Sequence, residues 1–63
     1  MGPQNAAVIE KLLSESQPMT IIQMMIKTKM TEEYIRACLT TLKRSEKLRI
    51  MGKEGRLKLY GLN

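Results

Sequence analysis

A mainly α, α+β domain, with three helices followed by a C-terminal two-stranded β-hairpin, is predicted by three features of this sequence. Apolar residues recur at helical spacing in successive stretches between Val8 and Leu42. From Leu48 to Leu62 the stretch "LRIMGKEGRLKLYGL" changes to a period of two. With 63 residues the chain can form one domain only, and residues 1–63 contain no linker, repeat or low-complexity run.

The first helix is expected over about residues 5–15, with Asn5 as N-cap and Val8, Ile9, Leu12 and Leu13 on one face. It fades in "SESQP", where Pro18 biases Gln17 away from helical geometry. The second helix, about residues 20–28, has a full start signal. Thr20 caps, Gln23 closes a capping box, and Met19 and Met24 stand at the two positions of a hydrophobic staple. The same device recurs at Thr31, where Met30 meets Ile35, and Glu32 and Glu33 complement the dipole of a third helix over about residues 31–46. The intervening "TKMT" therefore ends one helix and caps the next, and so short a link imposes the sharp angle of a helix-turn-helix. In the third helix Ile35, Cys38, Leu39 and Leu42 turn inward, and Arg36, Ala37, Thr40, Lys43 and Arg44 outward.

The hairpin is expected over about residues 48–62, with Gly52 and Gly55 bracketing a four-residue turn. That register opposes Leu48 to Leu59, Arg49 to Lys58, Ile50 to Leu57 and Met51 to Arg56. It gathers Leu48, Ile50, Leu57 and Leu59 on one face and Arg49, Met51, Arg56 and Lys58 on the other. Arg49 would then face Lys58, and like charges directly opposite destabilise a ladder, so the arrangement suits an anionic partner such as a phosphate backbone.

Eleven basic residues against 6 acidic ones make a net charge of +5. The excess is uneven: residues 1–26 hold Lys11 against Glu10 and Glu15, while residues 27–63 hold ten Lys or Arg against four Glu. One end of the molecule is a candidate footprint for a polyanion. The absence of His and Asp, with Cys38 on an inward face, leaves no catalytic constellation, so no enzyme activity is expected. No zinc ligand set exists either, and no metal or cofactor is expected. A single cysteine, no apolar signal core and no membrane-length apolar stretch read as an intracellular, cytoplasmic chain, nucleoid-associated in a bacterium or phage and with a nucleus left open. Met1-Gly2 starts like a myristoylation signal, but Ala6 stands where that signal requires Ser or Thr.

Between about residues 6 and 62 the sequence resembles the winged helix-turn-helix superfamily of DNA-binding domains, through "MTIIQMM", "KMT", "YIRACLTTL", "KLRI" and "RLKLYGL". Thr20, Met24, Met25 and Lys29 fall where that family opens its second helix, packs an apolar pair and turns. Met30, Thr31, Ile35, Leu39 and Leu42 match the apolar spacing of its recognition helix. Three positions depart from the pattern: Lys29 replaces the turn Gly, Glu46 stands where many relatives carry Gly before the wing, and Glu32 and Glu33 begin the recognition helix.

The resemblance implies a duplex-DNA-binding protein, a small transcriptional regulator or a phage- or plasmid-type accessory factor, with the third helix in the major groove and the hairpin as a wing on phosphate. Arg36, Thr40 and Glu33 are the base-reading candidates; Arg can pair with guanine and Glu can accept from cytosine N4. Ala37 also faces outward. Arg36 competes with its own helix, because an ion pair to Glu32 or Glu33 is equally natural there. The phosphate candidates are Thr20, Lys27, Lys29, Thr31, Lys43, Arg44, Arg49, Lys53, Arg56 and Lys58. Tyr34 and Tyr60 are too few for a single-strand stacking platform. One copy offers a small footprint, so a homodimer or tandem binding on DNA is a further expectation. The alternative is a winged-helix protein-protein interaction module without DNA contact, in which apolar residues of the first two helices meet a protein partner.

Overall fold

Two threonine hydroxyls set the starts of the second and third helices. The computed structural model describes residues 6–63, as α1 (Ala6–Ser16), α2 (Ile21–Thr28), α3 (Glu32–Arg44), β1 (Leu48–Glu54) and β2 (Leu57–Leu62). The expected N-cap Asn5 lies outside the described residues. At α2 the capping box is complete: Gln23 N–H donates to Thr20 Oγ1 at 3.2 Å and Thr20 N–H donates to Gln23 Oε1 at 3.0 Å. At α3 the Tyr34 N–H donates to Thr31 Oγ1 at 3.2 Å. Met19 and Met24 are buried, Ile35 is buried and Met30 half-buried, all in one cluster, as staples require.

The link between α2 and α3 turns through Lys29, at φ 60 and ψ 22, whose N–H reaches Met25 O at 2.7 Å. Thr28 tightens the turn: its hydroxyl donates to Met24 O at 2.7 Å and accepts from Met30 N–H at 3.2 Å. The exit from α3 is also left-handed, and it shortens the helix relative to the expected end near residue 46. Glu46 takes φ 56; its N–H bonds Lys43 O at 3.0 Å, and Lys47 N–H bonds Leu42 O at 3.0 Å. This paired closure is a Schellman motif, and it stops the helix at Arg44.

Ile9 and Leu13 of α1, Ile21 and Met24 of α2, and Ile35, Cys38, Leu39 and Leu42 of α3 form one buried cluster with Met19. Both α1 and α2 pack on α3, and the hairpin covers one end through β1 on α3 and β2 on α1 and α2. The layout, three helices and then an antiparallel hairpin, is compatible with a winged helix.

The hairpin register differs from the one expected. Leu48 pairs with Leu62, Arg49 with Gly61 and Ile50 with Tyr60; after a bulge at Met51, Gly52 pairs with Leu59, Lys53 with Lys58 and Glu54 with Leu57. The turn is therefore the two residues Gly55-Arg56, with Gly55 at φ 62, where a type II′ turn places glycine. Gly52, at φ 154, accommodates the bulge instead of opening the turn.

What selects this register is a third strand-like contact that the periodicity did not signal. Met19 and Tyr60 exchange main-chain bonds, Met19 N–H to Tyr60 O at 2.9 Å and Tyr60 N–H to Met19 O at 2.7 Å. Gln17 Oε1 accepts from Leu62 N–H at 2.7 Å. With Tyr60 and Leu62 drawn to the core, parity along β2 puts Lys58 on their face and Leu57 and Leu59 on the other, the reverse of the expected assignment.

Candidate nucleic-acid interface

The parity of β2 brings a lysine to the side of the hairpin that faces α3. A groove of about 510 Å³ runs between them. Arg36, Leu39, Thr40 and Lys43 of α3 form one wall, and Leu48, Ile50, Lys58 and Tyr60 of the hairpin the other. Three cationic side chains and the hydroxyl-bearing Thr40 and Tyr60 line it, with no carboxylate among the lining residues. A smaller cleft of about 230 Å³ adjoins it between α2 and the hairpin end; Arg36, Lys58 and Tyr60 border both, and Arg56, Leu57, Ile22 and Glu32 belong to the smaller one.

The acidic start of α3 is partly neutralised within the helix. Arg36 Nε donates to Glu32 Oε2 at 2.8 Å, and Arg36 Nη2 lies 2.8 Å from the same oxygen. The competing ion pair expected for Arg36 is thus formed, with Glu32 four residues earlier; Glu33 is exposed. Thr40, one turn on, donates its hydroxyl to Arg36 O at 3.0 Å, a bond within its own helix that leaves the oxygen able to accept. Lys47, not among the phosphate candidates, pairs with Glu10 at 3.5 Å. These are the salt bridges among the described residues; Lys43, Lys53, Arg56 and Lys58 take part in neither.

The other candidates are distributed unevenly. Lys53 faces Lys58 across the ladder, so the like-charge pair expected between Arg49 and Lys58 exists with a different member. Such a pair costs some tenths of a kcal/mol. Arg49 faces Gly61, on the side of β2 opposite Lys58. Thr31 is exposed at the head of α3, whereas Thr20 is 2% exposed with its hydroxyl held in the capping box. Lys27 lines a separate shallow cleft of about 320 Å³ with Val8, Lys11, Leu12 and Glu15, on the α1 side of α2. Lys29 and Arg44 are exposed and line none of these clefts.

Two contributors escaped the sequence reading. Ile50 and Tyr60 add apolar surface to the hairpin wall beside the cations; the Gly55-Arg56 pair is compatible with a two-residue turn but does not by itself select it over a four-residue one. Cys38 is buried, and desolvation, only partly offset by a backbone hydrogen bond, pushes its thiol pKa upward, which keeps it protonated. Among the described residues no His, Cys, Asp and Glu cluster could hold a metal ion, and no helix is long and apolar enough to cross a membrane.

Compared with protein-family models, with curated proteins and with solved structures, the chain gave no significant match.

Proposed function

We propose that this chain binds duplex DNA as a winged helix-turn-helix domain, with α3 in the major groove and the hairpin as a basic wing on the phosphate backbone. The observation that carries the reading is the groove in which Arg36, Thr40 and Lys43 of α3 face Lys58 of the hairpin, with the Glu32 carboxylate at its edge bonded to Arg36. Base edges are read from α3, and Arg36 is the residue for guanine, a contact worth about 1–3 kcal/mol of discrimination. Lys43, Lys58, Lys53 and Arg56 take phosphates. A cytoplasmic role as a small transcriptional regulator, or as a phage or plasmid accessory factor, fits a domain with DNA reading and no second chemistry.

The test is an anisotropy titration on duplexes selected from a random pool, at low and moderate salt. About 4–6 phosphate contacts predict a loss of affinity on the order of 10²–10³-fold between 50 and 200 mM salt. Lys58→Glu is expected to weaken binding to every duplex alike and to flatten the salt slope by about one or more. An unchanged slope removes the hairpin from the interface.

A second reading has its own observation. Ile22 and Ile26, 50% and 70% exposed, stand four residues apart on α2, Ile22 at the smaller cleft, and suit an apolar protein partner. Binding through them would be nearly salt-insensitive, which separates the two readings in one experiment.

A further inference from the structure

The Glu32–Arg36 contact is more specific than a pair of opposite charges. The guanidinium carries five N–H groups in a planar fork with two usable edges, Nε with one terminal nitrogen and the two terminal nitrogens together. Both contacts to Glu32 involve Oε2, from Nε and from Nη2, each at 2.8 Å. The carboxylate thus occupies the Nε edge. The terminal edge, Nη1 with the second hydrogen of Nη2, is left open, and a pair of parallel donors there matches the O6 and N7 acceptors of guanine. Both side chains remain accessible, 62% and 52% exposed, so a duplex can reach that edge without first breaking the pair. Arg36 also borders both clefts, where a swinging side chain would have several alternative directions.

We infer that Glu32 is a positioning residue for base reading: it holds the Arg36 guanidinium by its inner edge and presents the outer edge to a guanine. This inference rests on the duplex-binding reading above. Glu32 then serves selectivity at some expense in affinity, because its charge repels phosphate while its geometry removes rotamer freedom from Arg36 before the DNA arrives.

The experiment compares wild type, Glu32→Ala and Glu32→Gln, with Glu15→Gln on α1 as a remote change of the same charge and Arg36→Ala to identify the base position. Affinities are measured for selected duplexes carrying guanine or another base there, and circular dichroism checks that each variant is folded. Glu32→Ala is expected to raise affinity for all duplexes and to lower guanine discrimination about three- to tenfold, the effect of freeing one immobilised side chain. Glu32→Gln removes the same charge but keeps an acceptor for Nε–H, so part of the discrimination should return. The difference between Ala and Gln isolates geometry from charge.

Equal discrimination in wild type and Glu32→Ala, or a rise in it, overturns the inference while leaving DNA binding intact. Absence of salt-dependent duplex binding in wild type removes the duplex-binding reading itself, and the inference with it.

Discussion

The helical body and the hairpin differ in what they bury. Among the described residues nine apolar side chains are buried, all in the three helices or at Met19. From β1 and β2 only Leu48, Tyr60 and Leu62 reach the core, and each is half-buried. The hairpin instead carries a dense set of cations, Arg49, Lys53, Arg56 and Lys58, beside the exposed Arg36 and Lys43 of α3. Burial holds the body together, whereas the hairpin is held in place by a few directed bonds, at Met19, Gln17, Lys47 and Glu46. Stability and charge presentation are thereby separated, so a substitution can disturb one with little effect on the other.

The sharpest way to break that comparison is to cut each region by the same kind of truncation. Met24 is fully buried, and Met24→Ala is expected to cost about 2–5 kcal/mol. A domain this small has a total stability of only about 3–5 kcal/mol, so the variant should be largely unfolded at 25 °C by circular dichroism. Ile50, 53% exposed, should lose less than about 1 kcal/mol on the same change to Ala, because most of its surface is already in water. Comparable denaturation midpoints for the two variants would show that the hairpin shares the core and that the division is false.

A smaller effect separates placement from stability. A Cβ on Gly61 would overlap Met51 Sδ and lie 2.7 Å from Gln17 Oε1 and 2.9 Å from Met51 Cγ, so the Met51 side chain must move off and the Gln17 bond to Leu62 N–H must stretch or break. Both obstacles are side chains, and Met51 is exposed and flexible. Gly61→Ala should therefore cost about 1 kcal/mol in urea denaturation, the net value of one such hydrogen bond. Affinity for duplexes should fall by more than that loss of stability accounts for, since the hairpin carries Lys58. A fall in stability with no change in DNA affinity would show that the position of the hairpin does not matter to binding.

The same contrast decides what could be read in advance. The starts of α2 and α3 and the stop of α2 were legible because each is written in a few neighbouring residues: Thr20 with Gln23, Thr31 with the following turn, Lys29 at the left-handed position; the stop of α3 came two residues earlier than expected, through the closure at Glu46. The hairpin was legible as a hairpin but not in register. Its glycines permit both a four-residue turn and the Gly55-Arg56 turn with a bulge, and the choice is made by Met19, some forty residues away, bonding to Tyr60. For the candidate interface the consequence is direct. Arg36, Thr40 and Lys43 lie together because helical periodicity places them so, whereas Lys58 joins them, and Arg49 does not, only through the parity that Met19 and Tyr60 impose. Lys27 points to another cleft because α2 presents a different side to α1.

The smallest effect expected is a gain, and it tests whether the left-handed exits of α2 and α3 serve the same purpose. A residue with a Cβ in that conformation is strained by about 1 kcal/mol relative to glycine, partly offset by the greater chain entropy that glycine loses on folding. Glu46→Gly keeps the main-chain closure to Lys43 and Leu42 and the bond from Asn63 Nδ2 to Glu46 O at 2.8 Å. It should gain about 0.5 kcal/mol and, by removing a negative charge, leave duplex affinity equal or higher. Lys29→Gly should gain a similar amount of stability, but it also removes a cation from the turn between α2 and α3. If Lys29 touches phosphate, its gain in stability is accompanied by weaker binding and a salt slope lowered by about one. Parallel results for the two glycines in both assays would mean that the lysine at the first exit is there for the turn alone. A loss of stability at either site would show that its side chain makes a contact strong enough to outweigh the backbone strain.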